Sequence, residues 1–288
     1  MEILHFLRTT LDSCLRRNDR FVLLDTLRFA AGFFILLFSI GCASQQTTEN
    51  SFSVAELYAQ GNKSFTEKKY KYAVESFKKI KTEFPESSTM SRVRLKIGES
   101  YYLDKKFEEA VSEYKQFLDY HPANKNKDMA KYRIGASLYN QMLSSDLDQS
   151  KTEEAMKQFK DLLKDNPNSP YAPKSGEKIK KCIERLARHE YSIGNFYYRT
   201  GKYKAATKRL SGLLENYPDQ KIEPMAIILL AESYWEAEER ERALKTYKEL
   251  LSRYPKTSYS KHAAFMLKQY GEEYGIDIEL KQKISKKN

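Results

Sequence analysis

The side chains best suited to acid–base or covalent chemistry are few in this chain and poorly spaced for it. Four histidines occur, at 5, 121, 189 and 262, far apart along the sequence. None belongs to an HExxH pair, no serine stands in a nucleophile elbow, and a glycine-rich phosphate loop is absent. An enzyme is therefore not expected. The three cysteines, Cys14, Cys42 and Cys182, show no CxxC or other metal-ligand spacing. Cys182 shares an apolar helical face with Ile179, Ile183 and Leu186 and reads as a small buried hydrophobe. Cys42 differs, because it follows directly on a run of apolar residues and a small residue.

That run, residues 29–40, reads FAAGFFILLFSI. It is too short to cross a bilayer, which takes roughly 20 apolar residues. It has the length of an export-signal core, with Arg20 and Arg28 ahead of it and the polar stretch 43–51 behind Gly41-Cys42. This arrangement resembles a bacterial lipoprotein signal. The resemblance implies that Cys42 becomes the first mature residue and carries an N-acyl chain and a diacylglycerol, with no other cofactor. Several acyl chains hold a soluble domain at a membrane where one chain binds only marginally. Ala43, rather than Asp, implies sorting to the outer membrane with the chain facing the periplasm. A plain membrane anchor or a cleaved secretory signal remains the alternative. The 28 residues ahead of the run are long for a signal, which places the expected start of translation near residues 22–27. Cys14 leaves with the signal, so no internal disulfide is expected.

Formal net charge is +11 over 288 residues, and the first 41 hold five Arg against four acids, so the excess lies in the rest of the chain. The lysines are scattered along amphipathic stretches rather than gathered in one run. Such a pattern reads first as a solvated basic face, with an acidic protein, anionic lipid or nucleic acid as the alternatives. No nucleic-acid partner is expected.

The elements that position these charges repeat. Gly61, Gly98 and Gly135 are spaced by 37 residues, as are Ala73 and Ala110, Phe77 and Tyr114, and Pro85 and Pro122. The interval returns in Gly194 and Ala231, Ala206 and Ala243, and Pro218 and Pro255. A fixed period of this size marks a helical-repeat solenoid, a class that binds other chains. The Gly or Ala belongs to a helix A that must approach its helix B closely. Ala73, Ala110, Ala155, Ala206 and Ala243 are the helix B counterparts, each followed four residues on by Phe77, Tyr114, Phe159, Leu210 or Tyr247. The prolines close each unit. Eight extra residues between Gly135 and Ala155 predict a long polar loop around 142–150, and fourteen between Pro167 and Pro218 predict a Lys-rich bridging helix at about 174–199.

These residues resemble the tetratricopeptide repeat, and five units fit over residues 54–270. The expected fold is all-α, a tetratricopeptide-repeat superhelix of about five helix pairs. In that family helix A lines the concave face, and the position four after its small residue lies there. Here it is Phe65, Tyr102, Tyr139, Tyr198 or Trp235. One turn earlier come Tyr58, Leu95, Tyr132, Tyr191 and Ile228. The expectation is an aromatic stripe along the inner surface, with packing between neighbouring helices as the competing reading. Tyr101, Leu138, Tyr197 and Tyr234, one residue before the stripe, are the expected core residues.

Within residues 184–219, the stretch RLARHEYSIGNFYYRTGKY goes beyond a generic repeat and resembles BamD, the lipoprotein family of the outer-membrane β-barrel assembly machinery. The resemblance implies a non-catalytic scaffold. Its partners would be the barrel insertase with its periplasmic domains, other assembly-machine lipoproteins, unfolded barrel proteins, and outer-membrane lipid through the anchor. It implies the following organisation: 1–41 signal, 42–53 lipidated Cys and tether, 54–170 repeats one to three, 171–270 bridging helix and repeats four and five, and 271–288 basic tail. Tyr58, Phe65, Tyr102, Tyr132 and Tyr139 would line a groove for the C-terminal targeting segment of barrel proteins. Tyr191, Tyr198, Arg209 and Trp235 would face the insertase, Arg209 matching the Arg of that family's insertase-contacting region. The alternative is another repeat lipoprotein, scaffolding envelope division or peptidoglycan machinery.

Overall fold

A computed structural model describes residues 52–274. The signal, Cys42, the tether as far as residue 51, and the tail from 275 lie outside the described residues. The described residues form eleven α-helices and a terminal 3-10 turn, Glu272–Tyr274. The helices are α1 Val54–Thr66, α2 Tyr70–Glu83, α3 Met90–Leu103, α4 Phe107–Tyr120, α5 Lys127–Asn140, α6 Ser150–Asp165, α7 Ala172–Arg199, α8 Tyr203–Asn216, α9 Glu223–Glu236, α10 Arg240–Arg253 and α11 Ser258–Tyr270. Each packs on its neighbours in chain order, and this is a tetratricopeptide-type array of helix pairs.

The repeat residues do structural work at each pair. A Cβ built on Gly61 would stand 2.6 Å from the Phe77 ring, and one on Gly135 would stand 2.7 Å from the Phe159 ring. Gly98 meets Tyr114 and Gly194 meets Leu210 in the same way. The glycine thus opens the space that the helix B side chain fills, and those side chains are fully buried. The first helix opens with a capping box, Ser53 and Glu56 satisfying one another's backbone N–H groups. Each helix B stops two residues before its proline, leaving one non-helical residue between them. Phe84, His121, Asn166, Tyr217 and Tyr254 have φ between −131° and −147°, outside the helical well.

In the first, second, fourth and fifth pairs the chain turns between helices A and B through one left-handed residue. Gly201 supplies it at φ 72°, whereas Lys68, Lys105 and Glu238 occupy the same turn position at φ 59°, 60° and 65°.

The loop between α5 and α6 is tied down from both sides. Buried Gln149 donates to the carbonyls of Ser144 (2.8 Å) and Leu147 (2.9 Å). From α7, Arg185 donates to the Leu143 carbonyl and His189 Nδ1 donates to the Ser145 carbonyl at 2.7 Å. His189 therefore has a structural role. The fourteen added residues continue α7 to 28 residues. Its first half covers the third pair and its second half serves as helix A of the fourth. Cys182 is fully buried on it, and burial pushes the thiol up to about 11, so it is an inert core residue. Among the described residues helix α11 has no helix B of its own, and it covers the fifth pair, burying Ala263, Met266 and Leu267 against α10 and α9.

Candidate functional site

The stripe residues of the first three pairs are half-buried rings, neither free nor fully enclosed. Each has an aromatic or cationic neighbour fixed by the repeat. Phe65, at the end of α1, meets Tyr70 edge-on at 5.7 Å, the first residue of its own helix B. Tyr102 meets Phe107 in the same way at 5.8 Å. The ammonium of Lys96, on the next helix A, lies 4.2 Å from the Phe65 ring centre. The Arg133 guanidinium lies 4.4 Å from the Tyr102 centre, and the Lys178 ammonium 3.7 Å from the Tyr139 centre. Three successive stripe rings therefore each carry a cation from the first helix after their own pair, at distances where the ring quadrupole attracts it.

A half-buried network holds Arg133. Its Nη2 is 2.5 Å from Glu99 Oε1, and the Tyr114 hydroxyl donates to Glu99 Oε2 at 2.8 Å. Burial holds the Lys178 ammonium below its ordinary value, with Lys181 adding to the effect. Asn140 donates to the Tyr102 hydroxyl at 3.2 Å, which fixes that ring across the repeat boundary.

The row one turn earlier behaves differently. Tyr58 tilts onto Phe77 at 5.5 Å, and Tyr132 stacks on Tyr171 at 5.1 Å while tilting onto Phe159. Leu95 and Ile228 are buried. This row belongs largely to the packing within and between pairs, and burial raises the Tyr132 hydroxyl above its ordinary value. The division between stripe and core is also less sharp than the spacing implies. Leu138 is buried, but Tyr101, Tyr197 and Tyr234 are as half-buried as the stripe rings one residue on.

In the last two pairs the expected contact residues separate. Arg209, on α8, pairs with Glu190 at 3.2 Å and lines an open cleft of ≈ 430 Å³ with Tyr197, Lys208 and Tyr217. Tyr191 faces another pocket, of ≈ 280 Å³, between α7, α9 and α11. Tyr198 meets Tyr203 edge-on at 5.7 Å, continuing the pattern of the first two pairs. Trp235 packs on Tyr270 at 4.7 Å, and Arg240 of its own repeat lies 4.1 Å over its ring. Neither Tyr198 nor Trp235 lines either pocket.

The cations were the residues that sequence reasoning missed. Lys96 and Arg133 sit two residues before Gly98 and Gly135, so the repeat offset carried the signal. Lys178 is displaced from the 37-residue period by the eight extra residues of the α5–α6 loop, but it follows Phe159 by 19 residues, as Lys96 follows Phe77 and Arg133 follows Tyr114. Among the described residues no three His, Cys, Asp or Glu side chains gather as metal ligands, and no helix is long and apolar enough to cross a membrane.

The chain is similar to known proteins over most of its length. It is 32% identical over 233 residues to the outer membrane protein assembly factor BamD of Rickettsia prowazekii, covering 80% of this chain and 92% of that one. It is 26% identical over 238 residues to BamD of Neisseria gonorrhoeae, covering 77% and 89%. Among solved structures, a thermophilic TPR protein of Thermus thermophilus aligns at 19% identity and a TM-score of 0.32, over 74% of this chain and 98% of that one. The family model described as YfiO, outer membrane lipoprotein, matches residues 50–241. The chain belongs to this family of outer-membrane lipoproteins, together with its BamD relatives.

Proposed function

We propose that this chain is a non-catalytic scaffold of outer-membrane β-barrel protein assembly, held by acyl groups on Cys42 at the periplasmic face of the outer membrane. In this reading the first three pairs receive the C-terminal targeting segments of unfolded barrel proteins, and the last two pairs hold the barrel insertase. The observation that carries the reading is the series Phe65–Lys96, Tyr102–Arg133 and Tyr139–Lys178. A barrel strand alternates apolar and polar residues and often ends in an aromatic. Held extended, it would set apolar side chains against the rings and its terminal carboxylate against a neighbouring cation.

At the other end, Arg209 would exchange Glu190 for a carboxylate of the insertase. That pair is solvent-exposed, so exchanging one carboxylate for another involves little net desolvation. The resemblance further implies other assembly lipoproteins as neighbours.

The test is purification of the tagged chain from native membranes in mild detergent at low salt. The reading expects an outer-membrane barrel with periplasmic domains in stoichiometric yield, lost on Arg209→Glu. It expects the chain to leave the membrane fraction on Cys42→Ala. Recovery of division or peptidoglycan-associated proteins alone would replace it with the general envelope-scaffold reading.

A further inference from the structure

The pocket between α7, α9 and α11 has a chemistry unlike the rest of this basic chain. Its floor is apolar, built from the buried side chains of Ile228 and Leu229, and two half-buried rings, Tyr191 and Tyr259, flank it. One carboxylate, Glu232, stands in it. His262 Nε2 lies 3.7 Å from Glu232 Oε1, longer than a hydrogen bond, and the histidine is the exposed partner of the two. A carboxylate set among apolar walls and left without a close cation is an electrostatic vacancy for one.

We infer that this pocket is a receptor for an arginine side chain presented by a protein partner, with Glu232 as its counter-charge. A volume of ≈ 280 Å³ admits a guanidinium on its aliphatic stem. Arginine suits the site better than lysine. Its planar head is weakly hydrated, pairs with a carboxylate through two hydrogen bonds, and lies flat on tyrosine rings. Burial pushes the Glu232 carboxyl up and Glu236 adds to this, so a bound guanidinium would relieve a charge that the fold itself leaves poorly compensated. The site is separate from the Arg209 cleft, which offers a cation where this one offers an anion. Together they would read a partner surface carrying both signs. The inference rests on the proposed scaffold reading only for the source of the arginine.

The test titrates the full chain in mild detergent with Nα-acetyl-arginine amide and with its neutral isostere Nα-acetyl-citrulline amide, followed by NMR of labelled tyrosine rings. The arginine compound is expected to bind about tenfold more tightly, the ratio that one charge-assisted pair gives. Glu232→Gln should abolish the preference, and Glu241→Gln, an exposed carboxylate elsewhere, should keep it. Equal binding of the two compounds, or a preference that survives Glu232→Gln, overturns the inference. A preference that appears only after deletion of residues 275–288 overturns the assignment to a partner, since the chain's own lysine-rich tail would then be the occupant. If no barrel partner co-purifies while the preference holds, the scaffold reading fails and the receptor stands.

Discussion

At the scale of single residues, Glu232 is held against its own preference. Burial raises its carboxyl above the ordinary 4.5, the imidazole of His262 opposes the rise, and Glu236 adds to it. A carboxyl whose value is raised on folding contributes most when protonated, below about 4.5, and that contribution is lost as pH rises through the folded value. At pH 7 the ionised group is therefore a burden. Glu232→Gln should raise Tm by about 1–2 °C at pH 7. The gain should vanish when the same melts are run near pH 4, and a variant that melts lower than the parent at pH 7 would refute this account. The substitution then removes the proposed counter-charge without harming the fold. The cations over the stripe were legible only in part. Lys96 and Arg133 recur at one offset, but which ring a long basic side chain covers is decided by stacking between repeats, which spacing alone does not contain.

At the scale of elements, the glycines separate two kinds of position. Gly135 faces the Phe159 ring with no room for a methyl group, whereas a Cβ on Gly176, inside α7, would meet nothing within 4 Å. Gly135→Ala should destabilise by about 1–3 kcal/mol through overpacking. Gly176→Ala should stabilise by about 0.5–1 kcal/mol, because alanine is the better helix former. Denaturant melts of the two variants should move in opposite directions. The turn between helices gives a further case. Lys105 holds the left-handed conformation that Gly201 adopts freely, so Lys105→Gly should stabilise by about 0.5–1 kcal/mol in the same assay. These pairs explain why the array was legible: the contacts of Gly61 with Phe77, Gly98 with Tyr114 and Gly194 with Leu210 all span one offset of 16 residues. Helix α11 was not legible as a separate cover, since no closing proline follows it to extend the rhythm.

At the scale of the molecule, the two ends of the array offer different surfaces. The first three pairs present rings with cations laid over them, and the last two present a cationic cleft beside an acidic pocket. The sequence foresaw aromatic positions throughout. It did not foresee that Trp235 would pack against Tyr270, because that contact depends on α11. The central claim is that the cation-covered stripe of the first three pairs receives a strand ending in an aromatic and a free carboxylate. The direct measurement is fluorescence anisotropy with a labelled peptide of that kind and its C-terminal amide, on the parent chain and on Lys96→Gln/Lys178→Gln. Binding is expected to be about tenfold weaker for the double variant and for the amide, the loss of one charge-assisted contact, with no further loss when the two are combined. Equal affinity of the parent and the double variant for the free-carboxylate peptide would contradict it.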